Sequence, residues 1–551
     1  MKEKVFILYI GMILLVGGCY DDKGNYDYTD IGDITITGIE NSYTAIALAK
    51  KLEIKPTVTS KNPEDTFEYL WTVYNPNYYD SYLTEAIKVD TIGREKDLSY
   101  EVNLQQGSYT LVYTVKNVNN NYTVYRKIPL TVSTQFNEGF YMLKETESGD
   151  TELDLCLNDD THNDNLLAKS LGAPMSGAPT RLGIYFNYSF VDEETGKYAA
   201  AATLGVMTEK DISLMSTGDM RLIYNHNSMF YYSTPPVEIP YYICQVSFCV
   251  VYISSEGVYA SMQYVDNNSW GTGKFGFVRD IAGEHRGSRY ALFSPKKSAV
   301  ICFDAKNGRF LAVDYNGFLH AFKEDASGKS PNNISHELIF MGLNRINSVD
   351  KVYAIFVDEK DVNQRYLYQL EMPSSTQYTN PVKEIVTLPA NLKLNSADLY
   401  ATNRTDTRAI YMVNNNRLYF YDVDNQEESP LNPEGLPADE TITYLEHKYW
   451  SQTNDAEHNF NYLMIGTYKS GNYKVYMYEM LGGKPMGQPK RVIEGKGKVV
   501  DLQYVSPKMR GAIIRCKSIR LLSACRQYCL DSLLVGKRVT GFTKVERLLV
   551  S

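Results

Sequence analysis

The sequence predicts an all-β protein in which an immunoglobulin-like sandwich is followed by a β-propeller. Between residues 138 and 505, short apolar or aromatic segments alternate with polar turns, and similar segments return at intervals. The clearest copies begin at Leu319, Leu367, Leu418 and Val475, which are 48, 51 and 57 residues apart (367−319, 418−367 and 475−418). Repeats of this length that contain strands and no helix are typical of propellers, with seven blades favoured and eight as the alternative.

Composition limits the class of protein. The 551 residues are too many for a single hydrophobic core, so we expect two or three domains. Tyr occurs 46 times against 3 Trp, and Tyr suits half-buried strands because its ring packs while its hydroxyl stays in water. The formal charge of −9 argues against a nucleic-acid partner, which would need a basic surface.

Residues 1–18 are predicted to be a lipoprotein signal peptide. A short basic region precedes an apolar run over residues 6–16, which is too short to span a bilayer. The sequence Val-Gly-Gly-Cys at residues 16–19 resembles a bacterial lipobox and implies that Cys19 is acylated. A simple secretory signal followed by a chance cysteine is the alternative. Acyl chains at Cys19 would hold the protein at a membrane.

Residues 19–30 are predicted to form a flexible tether, since they are polar and contain Gly24. Asp21 and Asp22, directly after Cys19, resemble the export signal of lipoproteins that reach the outer face of a Gram-negative outer membrane. An ordinary polar tether is the alternative. We therefore expect a lipid-anchored outer-membrane protein that faces outside the cell.

Residues 31–134 show the period-two alternation of half-buried strands. Trp71 lies on the apolar face of the strand at residues 67–73 and is expected to be the central core residue. Three consecutive asparagines at residues 119–121 predict a hairpin turn, because Asn tolerates the left-handed backbone region. About seven strands in roughly one hundred residues predict an immunoglobulin-like sandwich.

Four motifs together resemble one family. They are Cys-Tyr-Asp-Asp-Lys-Gly-Asn-Tyr-Asp-Tyr at residues 19–28, Asp-Ile-Thr-Ile-Thr-Gly-Ile at 33–39, Phe-Glu-Tyr-Leu-Trp-Thr-Val at 67–73 and Gly-Ser-Tyr-Thr-Leu-Val-Tyr-Thr-Val at 107–115. They are similar to the PKD-like family of surface lipoproteins. The resemblance implies a PKD-like sandwich followed by a propeller-like region, in a protein that accompanies SusC/SusD-type outer-membrane nutrient importers. It implies no catalytic residues.

Residues 136–505 are predicted to form the propeller, beginning with strands at 139–144 and 151–157 and ending with strands at 491–493 and 499–504. A closed ring hides strand edges that would otherwise pair with other chains. We therefore expect the last strand, near Val499, to pair with the first strand, near Phe140. Other strands are predicted at 181–188, 204–208, 221–232, 246–253, 257–264, 299–304, 310–315, 352–357, 409–413 and 462–468.

Residues 506–551 differ in composition from the rest of the chain. They carry ten Lys or Arg and two acidic residues, a net charge of 10−2 = +8, and three of the eight cysteines. One interpretation is a basic arm for an acidic partner or a membrane lipid. The other is a terminus that is not native, for instance after a change of reading frame. In either case we expect little ordered structure there.

The sequence contains no recognisable catalytic, metal or cofactor motif. The seven histidines form no HExxH pair, no GxSxG elbow is present, and the cysteines lack zinc-ligand spacing. Cysteines between residues 20 and 505 lie in apolar strands, which predicts buried free thiols. The acidic loop at 150–164 offers oxygen ligands for calcium but lacks the glycine spacing of an EF-hand, so a solvated loop is expected. We expect no catalytic residue, metal or cofactor, although 65 acidic residues leave a catalytic carboxylate pair open.

Aromatic residues in polar connections are the candidate ligand-binding residues. Trp270 follows Asn267 in a stretch rich in Gly and Asn, and Tyr449 and Trp450 lie in another polar connection. Sugar rings stack on flat side chains while neighbouring amides and charged groups bind the hydroxyls. The alternative is that each tryptophan only anchors its own loop. A Tyr-rich loop at 76–82 is a further candidate in the sandwich.

Three functional hypotheses follow. The first is a non-catalytic surface lipoprotein whose propeller binds glycan or peptide and passes it to a SusC/SusD-type importer. The second is a hydrolase or lyase that acts on polysaccharide, with acids gathered at the central channel; raised carboxyl pKa values there would favour it. The third is a structural scaffold for an importer complex, which a large apolar patch would favour.

Overall fold

The structure, a computed structural model, describes residues 34–47, 51–76, 89–104, 107–136, 138–193, 196, 198–232, 238–246, 249–266, 269–277, 285–294, 297–347, 349–374, 376–451 and 453–506. Within these ranges the helical segments are short, namely α1 (Leu166–Leu171) and two 3-10 turns (Lys393–Ser396 and Thr453–His458). Neither they nor any other helix there is both long and apolar enough to cross a bilayer. The all-β prediction is confirmed.

The N-terminal region is a layered arrangement of nine strands around one apolar core. The strands are β1 (Thr35–Thr37), β2 (Tyr43–Ile46), β3 (Leu52–Ile54), β4 (Thr57–Thr59), β5 (Phe67–Tyr74), β6 (Val89–Gly93), β7 (Leu98–Tyr100), β8 (Gly107–Asn117) and β9 (Thr123–Ser133). The largest sheet has the order β2-β9-β8-β5-β6, while β1 pairs with β4 and β3 pairs with β7. Side chains from both the large sheet and the β3–β7 pair meet in the same core, which is the packing of the predicted sandwich.

Trp71 is the central core residue of this region, as predicted. Its side chain is 0% exposed, and its ring stacks on that of Tyr113 with centroids 4.2 Å apart. The indole Nε1 donates a hydrogen bond of 3.3 Å to the Lys96 carbonyl, so the one polar atom of the ring is paired. The predicted asparagine turn lies between β8 and β9, and Asn121 has the expected left-handed backbone (φ 59°).

The region from residue 139 to residue 505 consists of successive antiparallel sheets, which we number 1 to 7 along the chain. In sheets 2 to 7 the strands pair in chain order, so that the first strand is at one edge and the last strand at the other. This meander is the architecture of a propeller, and the predicted fold class is confirmed.

The strands of sheets 1 to 4 are as follows. Sheet 1 contains β10 (Gly139–Glu145), β11 (Thr151–Cys156) and β12 (His162–Asn163); sheet 2 contains β13 (Pro179–Val191), β14 (Tyr198–Thr208), β15 (Ile212–Ser216) and β16 (Leu222–Asn225). Sheet 3 contains β17 (Pro240–Val246), β18 (Cys249–Ser254), β19 (Val258–Met262) and β22 (Gly276–Phe277), with a separate pair formed by β20 (Tyr264–Asp266) and β21 (Ser269–Trp270). Sheet 4 contains β23 (Ala291–Ser294), β24 (Ala299–Asp304), β25 (Arg309–Val313) and β26 (Leu319–Ala321).

The remaining strands complete the ring. Sheet 5 contains β27 (His336–Ile346), β28 (Val349–Asp358), β29 (Arg365–Glu371) and β30 (Val382–Leu388). Sheet 6 contains β31 (Leu399–Thr402), β32 (Ala409–Asn414), β33 (Arg417–Asp422) and β34 (Glu427–Leu431). Sheet 7 contains β35 (Thr441–Trp450), β36 (Phe460–Lys469), β37 (Asn472–Leu481) and β39 (Arg491–Lys496), with β38 (Lys484–Pro485) also paired to β37. The last strand, β40 (Lys498–Val505), returns to sheet 1.

The ring is closed by the pairing of β40 with β10. Gly139 is opposite Val505 and Phe140 is opposite Tyr504 in this antiparallel ladder. The strands at the inner edges also form an unbroken cycle of contacts, in the order β13, β17, β23, β27, β31, β35, β40 and back to β13. The predicted joining of the two ends of the region is therefore confirmed.

Three details of the sequence prediction were wrong. Residues 246–253 were expected to be one strand, but β17 ends at Val246 and β18 begins at Cys249 as its antiparallel partner. The strand expected at 221–232 is only four residues long. The segment at Leu319 is the fourth strand of its sheet, whereas those at Leu367, Leu418 and Val475 are third strands, so the interval of 48 residues joins positions that are not equivalent.

The four cysteines in the described residues are buried and form no disulfide with one another, as predicted. Residues 1–33 and 507–551, which include the predicted signal peptide, tether, Cys19 and almost all of the basic tail, lie outside the described residues.

Candidate functional site

A cavity of about 840 Å³ lies at the centre of the ring. Its lining includes residues from each of the seven inner-edge strands, for example Arg181 on β13, Phe340 on β27 and Asp501 on β40. A closed ring of twisted sheets leaves such a central space because only the inner edges of the sheets meet there. The cavity volume lies within the range of about 300–1,000 Å³ that is usual for small-molecule sites.

One side of the cavity is aromatic. Tyr290 precedes β23, Phe340 lies on β27 and Tyr400 lies on β31, so neighbouring sheets 4, 5 and 6 each contribute one ring. The rings of Phe340 and Tyr400 are stacked, with centroids 5.2 Å apart and planes at 27°, and Tyr290 meets Phe340 edge-on at 6.1 Å. We call these three residues the aromatic face.

A further part of the lining is charged, with Arg181 contributed from sheet 2, Arg404 from sheet 6, Glu446 from sheet 7 and Asp501 from sheet 1; we call these four residues the charged face. Glu446 accepts a hydrogen bond of 2.9 Å from the Tyr444 hydroxyl and forms an ion pair of 2.8 Å with Lys448. Burial alone would raise the pKa of Glu446, but the charge and hydrogen bond of Lys448, together with Arg404, hold that pKa below its usual value.

The pKa of Asp501 is shifted in the opposite direction, above its usual value. Burial raises the pKa of its carboxyl group, and the nearby charge of Glu446 adds to this against the opposing charges of Lys448 and Arg181. Its two oxygens accept backbone hydrogen bonds of 2.8 Å from the N–H groups of Leu182 and Leu502. Asp501 therefore ties the closing strand to sheet 2 as well as lining the cavity.

The arginines of the cavity differ in how the protein uses them. Arg181 donates a hydrogen bond of 3.4 Å to the Arg289 carbonyl, and its guanidinium lies 4.9 Å from the ring centroid of Tyr242. Arg289 and Arg404 have exposed side chains. The backbone N–H of Arg404 donates to His447 Nδ1 at 2.7 Å, which holds the backbone of this segment.

Two buried polar atoms of the lining have no hydrogen-bond partner in the described residues. They are the Asn395 side-chain oxygen and the Arg365 Nε atom, one an acceptor and the other a donor. Asn395 is 8% exposed, and its amide nitrogen is already bonded to the Pro389 carbonyl at 2.7 Å. A buried polar group without a partner costs free energy, so both atoms favour a polar ligand or water in the cavity.

The sequence prediction placed ligand-binding residues elsewhere. Trp450 was expected in a polar connection, but it is the last residue of β35, is 8% exposed and packs near Tyr504, with ring centroids 6.1 Å apart. Tyr449 next to it is 54% exposed. Trp270 was also expected outside a strand, but its backbone forms β21 and pairs with Tyr264.

These four candidates do not form one site around the cavity. Neither Trp450 nor Tyr449 lines it. Asn267 and the loop at 77–82 lie outside the described residues. Trp450 is instead a core residue at the junction of sheets 7 and 1, where it shares an apolar cluster with Phe140.

One acid of the loop at 150–164 is already engaged within the protein. Asp154 is a fully buried strand residue whose Oδ2 is 2.7 Å from Lys144 Nζ. No group of three or more His, Cys, Asp or Glu side chains in the described ranges is arranged to hold a metal ion.

Sequence reasoning missed the aromatic face and the arginines. Tyr400 and Arg404 belong to no recognisable motif. They line one cavity only because the ring brings the inner edges of all the sheets together. The one sequence signal that could have identified the lining residues is the position of a strand within its sheet. In six of the sheets the first strand in chain order is the inner one. The segments that repeat most clearly are mainly third strands, which are separated from the inner strands by the second strand of each sheet.

Comparisons with known proteins agree with the N-terminal motifs. Residues 19–179 match the model of the PKD-like family, so the match extends past the sandwich to the first residue of β13. No curated protein matches the chain.

The solved structures that this chain resembles include the following three. A quinonprotein alcohol dehydrogenase-like protein from Bacteroides thetaiotaomicron is 12% identical, with 86% of this chain and 99% of that chain covered and a TM-score of 0.35. A DUF4784 family protein from Bacteroides caccae is 10% identical (73% and 95% covered, TM-score 0.30). A hypothetical selenium-binding protein from Sulfolobus tokodaii is 10% identical (81% and 94% covered, TM-score 0.35). Likenesses this distant carry no argument about function.

Proposed function

From a chain that carries the PKD-like family domain at residues 19–179, we propose a non-catalytic surface lipoprotein whose propeller binds a glycan in its central cavity. The single observation that carries this proposal is the mixed lining of the cavity. Stacked rings and side chains that donate or accept hydrogen bonds line the same space. Sugars have the same mixed character, because their apolar ring faces alternate with hydroxyl groups.

A glycan fits the lining better than a purely apolar ligand does. The unpartnered Asn395 oxygen requires a donor, and the unpartnered Arg365 Nε requires an acceptor. One hydroxyl group supplies both functions. A peptide is the alternative ligand, and its backbone also offers donors and acceptors, although it lacks a flat apolar ring face at every unit.

The cellular setting is part of the same proposal. Acylation of Cys19 would anchor the protein to the outer membrane, the sandwich would hold the propeller away from the surface, and bound glycan would pass to a SusC/SusD-type importer. Support comes from the lipobox-like sequence at 16–19 and the acidic residues that follow it. Metabolic labelling with a clickable fatty acid tests the anchor: Cys19→Ala should abolish labelling, and undiminished labelling of this variant would contradict it.

Binding of the detergent-solubilised full chain to a panel of oligosaccharides and peptides tests the ligand class. The matched variants are Tyr400→Ala, which removes a ring of the aromatic face, and Tyr449→Ala, which removes an exposed tyrosine outside the cavity. Loss of one stacking ring should weaken glycan binding about fivefold in Tyr400→Ala, since stacking contributes on the order of 1 kcal/mol, whereas Tyr449→Ala should bind glycan like the wild type. Absence of glycan binding, or equal effects of both variants, would reject the proposal.

A polysaccharide hydrolase or lyase is the second candidate, favoured by one observation. Glu446 and Asp501 line the same cavity, and their pKa values are shifted in opposite directions, as in many pairs of catalytic acids. Both carboxylates already have structural partners, however, namely Lys448 for Glu446 and two backbone N–H groups for Asp501. Release of shorter oligosaccharides by the wild-type chain, abolished in Asp501→Asn, would favour the enzyme.

A further inference from the structure

The arginines of the cavity have unequal partners within the protein. Neither guanidinium of Arg289 and Arg404 makes a hydrogen bond or an ion pair with the described residues, although both residues line the cavity. Arg181 by contrast is held against the Arg289 carbonyl and the Tyr242 ring. Two permanent positive charges are therefore available to a ligand.

None of the acids of the lining forms an ion pair with these two arginines in the described part of the chain, although the charge of Arg404 helps to lower the pKa of Glu446. Glu446 is paired with Lys448, and Asp501 accepts hydrogen bonds from two backbone N–H groups. Glu209 and Asp398 have exposed side chains, and neither forms an ion pair with Arg289 or Arg404 within the described part of the chain. The cavity consequently offers an anion two unpaired cationic groups.

Each of these arginines lies close in sequence to a ring of the aromatic face. Arg289 immediately precedes Tyr290, and Arg404 follows Tyr400 by four residues. These two arginines and these two rings all line the same cavity. The planar guanidinium matches the two oxygens of a carboxylate better than it matches a single hydroxyl group.

We propose that the glycan is an acidic oligosaccharide whose carboxylate groups bind Arg289 and Arg404 while its sugar faces pack on Tyr290, Phe340 and Tyr400. This inference rests on the proposed glycan-binding function and specifies its substrate class as sugars that carry carboxylates. Neutral sugars of the same shape would lose the charged contacts and bind more weakly.

The test compares three probes with the detergent-solubilised full chain by calorimetry. They are an oligogalacturonide, the same oligosaccharide after chemical reduction of its carboxyl groups, and a sulfated oligosaccharide of similar length. We expect the oligogalacturonide to bind at least about tenfold more tightly than its reduced form, because each charged hydrogen bond contributes more than about 1.4 kcal/mol. Its affinity should also fall as salt is added, since salt screens charge pairs.

Three variants assign the effect to the arginines. Arg289→Gln and Arg404→Gln should each weaken oligogalacturonide binding by about tenfold and leave the reduced probe unaffected. Arg404→Lys, which keeps the charge but loses the planar fork, should lie between Arg404→Gln and the wild type. Arg417→Gln removes an exposed arginine from the third strand of sheet 6, outside the cavity, and should bind like the wild type.

The possible failures are distinguishable. Equal binding of the oligogalacturonide and its reduced form, or unchanged binding in both Gln variants, overturns the acidic-sugar assignment but leaves glycan binding in place. Preference for the sulfated probe overturns the assignment of a carboxylate. If no oligosaccharide of any kind binds, the proposed function itself fails.

Discussion

Tyr473 donates a hydrogen bond of 3.0 Å to Oδ2 of Asp154, a residue 319 positions earlier in the chain. Tyr473 belongs to sheet 7 and Asp154 to sheet 1, so this bond crosses the junction at which the ring closes. The same carboxylate pairs with Lys144 at 2.7 Å and accepts the Asn165 N–H at 2.8 Å. Burial raises the pKa of Asp154, while these partners act against that shift and stabilise its charged form.

Removal of the Tyr473 hydroxyl should destabilise the propeller. Tyr473→Phe keeps the ring but leaves the buried Asp154 with one partner fewer, and we expect a loss of about 1–3 kcal/mol in the free energy of unfolding, measured by urea denaturation. The control is Tyr449→Phe, where the hydroxyl belongs to an exposed side chain, and it should change stability by less than about 0.5 kcal/mol. Equal stability of the two variants would show that the bond across the closure has no energetic role.

His447 should make the stability of the protein depend on pH. Its Nδ1 accepts from Arg404 N–H, so the ring is neutral with the proton on Nε2, which donates to Asn461 at 2.7 Å. Burial lowers the pKa of His447 to about 4. The unfolded chain binds this proton below about pH 6.5 and the folded chain does not, so the stability present above pH 6.5 is lost as the pH falls towards 4.

The loss attributable to His447 should be about 3 kcal/mol between those two pH values. His447→Gln offers an acceptor and a donor but does not titrate. We expect the variant to lose correspondingly less stability than the wild type between pH 6.5 and pH 4, in urea denaturation at a series of pH values. Parallel pH profiles for the two proteins would contradict this role for His447.

Sheets 2 and 3 approach each other closely at a pair of glycines. Gly183 and Gly205 face each other on β13 and β14, and a Cβ atom on either one would lie within 2.6 Å of the Ile243 Cγ2 atom. Gly205→Ala should therefore cost about 1–3 kcal/mol of stability through overpacking.

A second substitution separates steric contact from other causes. At Gly205 all three nearest atoms belong to the Ile243 side chain, so Ile243→Ala should remove most of the penalty of Gly205→Ala in a double-mutant cycle. At Gly183 the new Cβ would also lie 2.8 Å from the Ile243 carbonyl oxygen, which Ile243→Ala does not move. Rescue of both alanine variants to the same extent would show that this account of the contact is wrong.

The buried cysteines should resist alkylation in the folded protein. Burial raises the pKa of Cys244 and of Cys302 to about 12, so neither is a thiolate near neutral pH. We expect peptides that contain these two residues to remain unlabelled by iodoacetamide at pH 8 and to become labelled in urea, as measured by mass spectrometry. Rapid labelling of Cys302 in the absence of urea would be inconsistent with the described packing of sheet 4.

The sequence was sufficient to predict the fold class, the closure near Phe140 and Val499, and the core position of Trp71. Strand periodicity and alternation are local properties, so they can be read from short stretches such as residues 67–73 and 299–304. The end of β17 and the start of β18, at residues 246–249, were harder to predict from the sequence, because two apolar strands with no Gly or Pro between them resemble one long strand.

The candidate site could not be found in the same way. Tyr290, Phe340, Tyr400 and Arg404 come together only because three sheets place their inner edges side by side, which is a property of the closed ring and not of any motif. Trp450 illustrates the reverse error: its polar neighbours suggested a loop, but its ring fills the junction between the first and last sheets. Composition describes a segment, whereas burial depends on what the rest of the chain places against it.

Amide hydrogen exchange of the full chain, with and without a saturating oligosaccharide, tests most directly whether the centre of the ring is the binding site. We expect slower exchange in the inner-edge segments at 339–343 and 399–404, with no change in the outer strands β30 and β34 or in the sandwich. Protection confined to the sandwich or to those outer strands would contradict a binding site in the central cavity.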